Sequence, residues 1–386
     1  MAREFDEIID RAGTGSAKWA GHAERGVTAM TVADMDLRAP REVIDAVIER
    51  ARHGIFGYTE VPGSYYAALS AWCSERFSWP IKKEWVLITP GVIPALYLAV
   101  QAYTERGDHV VLQPPVYYPF MHAVTDNERK ILFNPLKLAD GRYRMDLEGL
   151  AEKADERTKL LILSSPHNPV GRVWDEGELR TLVELCIERG ITIVSDEIHF
   201  DLVMPGHRHT PTASLSDEAA RVTVTCTSPS KTFNTAELQV GNVIISEPGL
   251  RERFEDVLVR AGLGRPNVLG AVACEAAYSR CGPWAGELVE YIHGNYSLMR
   301  GRLAEKLPGV WVAPLEGTYL GWLDLRGFGL GETEMEELLI NKARVALTPG
   351  SIFGPGGEGF FRMNLAYPRP VVAGAVDRIC GALGGL

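Results

Sequence analysis

Over residues 85–246 the chain alternates short, continuously apolar or β-branched runs with stretches of helical periodicity. Residues 85–89, 109–113, 160–163, 191–195, 222–225 and 243–246 read as strands, and 93–104 and 178–188 as helices. Strands that are apolar on both faces and joined by helical crossovers belong to a largely parallel, doubly covered sheet, so the pattern predicts an α/β fold. Ligands in such sheets bind just past the carboxyl ends of the strands. The polar clusters of this chain lie there: Pro90-Gly91-Val92, the run from Ser164 to Gly171, Asp196-Glu197-Ile198-His199, and the run from Ser228 to Asn234.

Outside this stretch the pattern changes. Residues 1–40 read as an arm broken by Gly13, Gly15, Gly21 and Gly26. It closes with Val32-Ala33-Asp34-Met35-Asp36, whose two carboxylates suit either a metal ion or a turn or helix cap ahead of Pro40. Val43, Ile44, Val47 and Ile48 have helical spacing over 41–52, stopped by His53-Gly54, and another helix starts near Gly63. Beyond Leu250 the chain reads as helical to Tyr278 and over 284–307, then as strands at 310–313, 318–324, 344–347 and 360–365. A length of 386 residues favours two domains around one cleft. The expected division is an arm, 1–40, joining a small α+β domain, 281–386, with a large domain at 41–280 between them.

Charge and cysteine usage exclude several roles. A net charge of −10 without a basic tail argues against a nucleic-acid surface. No run approaches the ~18 apolar residues of a membrane span. The N-terminus, MAREFDEIID, lacks the apolar stretch of a secretory signal, and the six cysteines include no C-x-x-C pair. A cytoplasmic protein with reduced thiols and a small-molecule substrate is expected, with no membrane or nucleic-acid partner and no resident metal.

The chemistry gathers around Ser228-Pro229-Ser230-Lys231-Thr232-Phe233-Asn234. Desolvation at a strand-end turn makes an amine less basic and able to form a Schiff base, although a lone lysine is most often a solvated surface residue. Asn168 and Asp196 also fall just beyond strands. The strand, the Gly91 turn and the following helix present free N–H groups at Gly91 and Val92 to an anion, as any βα connection can. A lysine, a carboxylate to keep a ring nitrogen protonated, and a phosphate-binding helix start are the parts that pyridoxal 5′-phosphate requires. Asp196 is the candidate carboxylate, a helix cap being the alternative.

The chain resembles the fold-type I pyridoxal-phosphate enzymes, and within them the MalY/PatB family of cystathionine β-lyases, or cysteine C–S lyases. The likeness runs nearly end to end: KWA at 18–20, VADMD at 32–36, HGIFGY at 53–58, TPGV at 89–92, PPVYYPF at 114–120, SPHNPVGRVW at 165–174, SDEIH at 195–199, SPSKTFN at 228–234, GTYL at 317–320 and FRMN at 361–364.

The resemblance implies a seven-stranded large sheet plus a smaller domain, and roles for particular residues. Lys231 carries the cofactor, Asp196 pairs with its ring nitrogen, Asn168 and His199 lie by its phenolic oxygen, and Tyr117 stacks on the ring. Gly91, Val92 and Ser228 hold the phosphate, joined by Tyr58 from a second subunit, which implies a homodimer with shared active sites. Arg362 grips the substrate carboxylate through a two-pronged hydrogen bond, and Asn168, Tyr58 and Asp34 complete the substrate contacts. His199 also reads as a core histidine and Arg362 as a surface arginine. The implied reaction is α,β-elimination from L-cystathionine or another S-substituted L-cysteine, giving a thiol, pyruvate and ammonia. Glu237, where the family carries a small residue, and Ala29-Met30-Thr31 depart from the pattern. The rivals are an aminotransferase or a specialised member with another reaction outcome, a regulatory protein without turnover, and an S-x-x-K acyl hydrolase, whose companion triplets are absent.

Overall fold

The structure, a computed structural model, describes residues 5–385, so residues 1–4 of the arm and residue 386 lie outside the described residues. Seven strands form the large sheet: β1 (Val86–Thr89), β2 (His109–Leu112), β3 (Lys130–Phe133), β4 (Thr158–Ser164), β5 (Thr192–Asp196), β6 (Thr223–Thr227) and β7 (Gly241–Ile244). Their order across the sheet is β1-β7-β6-β5-β4-β2-β3. β7 runs antiparallel to both β1 and β6, and the other pairings are parallel. The all-apolar runs identified in the sequence are the central strands, buried on both faces beneath helices. β3 is an additional edge strand that the sequence pattern did not reveal.

Register aligns the carboxyl ends of the central strands. Ser164 lies opposite Asp196, and Asp196 opposite Cys226, so the loops that follow β4, β5 and β6 emerge side by side. The helix Val92–Tyr103, which follows β1, has Gly91 as its N-cap with φ 132°, and no side chain caps it. A residue with a Cβ is strained at that φ, so the open helix start depends on glycine.

The C-terminal sheet is antiparallel. Leu320–Asp324 pairs with Trp311–Val312 and with Phe360–Asn364, which also pairs with Thr348–Pro349. Alternation along Phe360–Asn364 sends Phe361 and Met363 into the core and leaves Arg362 and Asn364 on the other face. Residues 344–347, expected among the tail strands, instead provide Val345–Ala346, which runs parallel to Thr28–Ala29 of the arm. The 25-residue helix Gly282–Lys306 covers this sheet, and its Leu288, Ile292 and Met299 share a core with Met30 and Met35. No helix among the described residues is long and apolar enough to cross a membrane.

Candidate active site

The turn after β6 is pinned on both sides of Lys231. Thr232 donates to Asp201 at 3.0 Å, and the buried Phe233 ring packs 5.7 Å from Trp72 and 5.9 Å from Trp284. Asn234, at φ 55°, accepts from the Met35 N–H and donates to the carbonyls of Met35 and Leu37. With its neighbours anchored, Lys231 lines a cavity of about 320 Å³ and donates from Nζ to the Ala33 carbonyl at 2.6 Å. Burial pulls its ammonium down to about 8, against opposing pulls from Asp34 and Asp196.

Asp196, at the end of β5, lines the same cavity. One carboxylate oxygen accepts the Ile198 N–H at 3.1 Å, as in a local turn, and the other has no hydrogen bond among the described residues. Burial lifts this carboxyl to about 7, with Lys231 acting in the opposite direction. His199 is buried one turn further on, its ring edge-on to Tyr319 at 5.7 Å and its Nδ1 without a partner. Burial, then the charges of Lys231 and Arg362, hold it well below the ordinary histidine range, so it is neutral.

Asn168, in the loop after β4, accepts at Oδ1 from Arg362 Nη1 at 3.0 Å. Arg362 Nη2 donates to the Thr31 carbonyl at 2.8 Å, and its Nε is buried without a partner. The guanidinium lies over the Phe353 ring at 4.8 Å, and burial lowers its pKa to about 10. Arg362 is 3% exposed, so the surface-arginine alternative does not hold. An arginine buried this deeply with a free donor is suited to an anionic guest.

At the cavity's other end lie Gly91, Val92, Ser228 and Ser230. The uncapped helix start offers N–H groups there. Ser228 Oγ donates to the Val240 carbonyl at 2.7 Å and accepts the Ser230 N–H at 3.1 Å, which fixes the wall. Tyr117 also lines the cavity, and burial raises its phenol to about 12.

Two residues named from the resemblance lie outside this cavity in the single chain, Tyr58 being the one expected from a second subunit. Tyr58 is 95% exposed and lies outside the cavity, under the Arg265 guanidinium. Asp34 does not line the cavity either. It pairs with Lys18 at 2.7 Å and Arg11 at 3.0 Å, while Asp36 pairs with Arg11 at 2.6 Å and Lys18 at 3.2 Å. The metal and cap readings of this acidic pair both give way to that ion cluster, and Pro40, not an aspartate, stands at the cap of Arg41–Arg52. Tyr319, which no spacing pointed to, donates its hydroxyl to the carbonyl of Ala33 at 2.8 Å, the acceptor that Lys231 also uses. The GTYL run contained it but nothing there marked a polar role.

Residues 25–379 match the family described as aminotransferase class I and II. The chain is also 46% identical to "Cystathionine beta-lyase PatB" of Bacillus subtilis (strain 168), across 98% of this chain and 99% of that one. The chain belongs to the MalY/PatB branch of the class I and II aminotransferase family. Two solved structures overlay on this family member with a TM-score of 0.95. One is a PLP-bound putative aminotransferase from Clostridium difficile 630, 39% identical over 98% of this chain and 99% of that one. The other is cystalysin from Treponema denticola, which contains a pyridoxal 5′-phosphate cofactor and is 38% identical over 98% of both chains. The family's fold-type I architecture is the one described above.

Proposed function

We propose that this chain is a pyridoxal-phosphate-dependent carbon–sulfur β-lyase that cleaves L-cystathionine or another S-substituted L-cysteine to a thiol, pyruvate and ammonia. The observation that carries the reading is that Lys231, Asp196, Asn168 and an uncapped helix start surround one cavity, with Arg362 bonded to Asn168. The cavity's volume is at the low end of the ~300–1,000 Å³ typical of small-ligand pockets. The name of the Bacillus relative favours elimination over transfer.

Pyridoxal phosphate suits the donors present. Its phosphate matches the N–H groups at Gly91 and Val92 together with Ser228 and Ser230, its ring nitrogen matches the unbonded oxygen of Asp196, and its aldehyde matches Lys231. When bound, it supplies a carbon that condenses with amines and a protonated ring that accepts an electron pair.

The chain's residues then divide the work. Asp196, once opposite a ring N–H⁺, is held ionised and keeps that proton in place. Arg362 takes the substrate carboxylate through its free Nε and a neighbouring N–H, which orients the Cα–H bond. Lys231, with a substantial neutral fraction near pH 8, has the free amine needed to remove the Cα proton. The electron pair from that bond expels sulfur from Cβ as a thiolate, which takes up a proton, balancing the one removed from Cα, to leave as the thiol. Water converts the remaining unsaturated three-carbon amine to pyruvate and ammonia. Tyr117 and the neutral His199, which line the same cavity, would flank the ring when the cofactor is bound.

We assign the cofactor to the part spanning 41–280 and the substrate carboxylate to 281–386 with the arm 1–40. Tyr58 reaches a phosphate only in a second copy's site, so a homodimer belongs to the proposal. The exposed Ile55 and Phe56, next to Tyr58 in the chain, and Val259, which lines the same surface groove as Tyr58, support it. A cytoplasmic setting is supported by six cysteines that are all buried and unpaired.

A panel of S-substituted L-cysteines, assayed together for thiol and pyruvate, tests the reading. Equal yields of both, abolished in Lys231→Ala, are expected. Aminotransferase activity is the second reading, favoured by the name of the Clostridium structure. A stable pyridoxamine form, with amino groups passed to pyruvate or 2-oxoglutarate and no thiol released, would establish it instead.

A further inference from the structure

Lys231 rests against the arm, not against a side chain of its own sheet. Its Nζ donates to the Ala33 carbonyl, and that oxygen also accepts the Tyr319 hydroxyl. The segment carrying this carbonyl is fixed from above by Asn364, whose amide donates to the carbonyls of Val32 at 2.7 Å and Asp34 at 2.6 Å. From below it is fixed by Lys18, whose side chain is fully buried and whose Nζ donates to the Asp34 carbonyl at 3.0 Å as well as pairing with both carboxylates. Arg11 closes the cluster from its exposed side.

With Lys18 and Asp36 buried, this cluster of two cations and two anions costs more desolvation than a surface pair does, so its position needs another account. Asp34 directly follows the carbonyl that receives Nζ. We infer that the arm's ion cluster seats the reacting amine, with Lys18 and Asp34 acting as positioning residues that fix the Ala33 carbonyl and set the electric field at Lys231. The carbonyl gives Nζ a place to stand whenever it is not covalently engaged, which is the state in which it has to take a proton.

Asp34 and Lys18 act on Lys231 with opposite signs: the carboxylate favours its ammonium and the second ammonium opposes it. Other charged or titratable groups facing Lys231 are Asp196, His199 and Arg362, from β5, the loop after it and the C-terminal sheet, with Tyr319 on the shared carbonyl and Tyr117 and Glu237 across the cavity. None of these is altered in the test variants, so the signs can be read separately.

The inference rests on Lys231 being the amine that carries pyridoxal phosphate, and the experiment tests that separately. Full-length protein stripped of cofactor is mixed with pyridoxal phosphate across a pH series. The rate of borohydride-trappable label at residue 231 is read by peptide mass. In the parent the rate rises with pH around a midpoint near 8 and then levels off. Asp34→Asn shifts the midpoint down and Lys18→Met shifts it up, each by roughly 0.5–1 on the pH scale. Simple loosening of the arm would let water in and move both midpoints the same way, towards a free lysine. Midpoints that stay put or move together overturn the inference. If Lys18→Met is insoluble, Lys18→Gln, which also removes the charge but keeps a polar end for the Asp34 carbonyl, gives the same upward test. Absence of label at 231 in the parent would instead sink the assignment of the amine itself.

Discussion

Arg362 on the C-terminal sheet and Asn168 in the loop after β4, 194 positions apart in the chain, are joined by one hydrogen bond of 3.0 Å between Nη1 and Oδ1. The residue proposed to hold the substrate and the residue proposed to touch the cofactor's phenolic oxygen therefore set each other's orientation. Arg362→Ala removes the carboxylate grip and frees Asn168 together. It should cost roughly 2–5 kcal/mol in kcat/KM, as for a buried charge pair that loses one member. Comparing an S-alkyl-L-cysteine with its decarboxylated amine checks this, because the amine should lose only the smaller share that comes from freeing Asn168. Equal losses for both would remove Arg362 from carboxylate binding.

The cofactor-free protein should lose stability as pH rises through the titration of Asp196. Its folded-state value, about 7, lies above the ordinary aspartate value of 3.8, so the folded chain holds a proton that the unfolded chain releases. Below about 4 the group contributes no penalty, the penalty grows between about 4 and 7, and above 7 it is complete. Asp196→Asn cannot ionise. Stripped of cofactor, it should be the more stable form at pH 8 by a few kcal/mol at most, since each tenfold change in a proton equilibrium is worth about 1.4 kcal/mol. The two proteins should converge near pH 4. Urea midpoints at the two pH values give the comparison, and a parent as stable as the variant at pH 8 would refute it.

Glu237 should weaken cofactor capture. It is exposed, lines the cavity beside the phosphate-facing wall, and has no ion pair among the described residues. Among the described residues, no lysine or arginine other than Lys231 lines that cavity. Glu237→Gln should tighten binding of pyridoxal phosphate several-fold in low salt, with the gain fading near 1 M, where screening acts over about 3 Å. Absorbance titration of the stripped protein reads the effect. Unchanged affinity at low salt would place the carboxylate too far from the phosphate to matter.

Gly350 lies against Gly357 so closely that an added Cβ would stand 1.9 Å from the Gly357 carbonyl oxygen and 2.6 Å from that of Phe360. Both obstacles are backbone and cannot swing aside. Gly350→Ala should lower stability by about 3 kcal/mol, seen as a reduced denaturant midpoint. Because Phe360 begins the strand that carries Arg362, affinity for the substrate carboxylate should fall with it. A midpoint within error of the parent would contradict this.

Most of the large sheet was legible because its central strands are uniformly apolar, and the polar residues that follow β4, β5 and β6 are the ones register brings together. β3 was not legible: Lys130–Phe133 is an edge strand with one exposed and three half-buried residues, too weak a pattern to stand out. Strand direction has no signature in hydrophobicity, so the antiparallel course of β7 was invisible as well. The arm's role was hidden for a different reason. Lys18 and Arg11 sit in irregular backbone at no periodic spacing from Asp34 and Asp36, and a pair of aspartates alone resembles a cap or a metal ligand. Tyr319 was missed because its partner is a main-chain oxygen, which any residue supplies.

The pairing of Thr28–Ala29 with Val345–Ala346 has a consequence for how the protein comes into being. The arm segment that seats Lys231 is itself held by residues near the other terminus, Tyr319, Arg362 and Asn364 among them. A ribosome that has just added position 231 still needs roughly seven to twenty-seven seconds to reach 364. Throughout that interval the nascent chain carries its amine but not the framework that would aim it, so reactive chemistry is withheld until translation is nearly over.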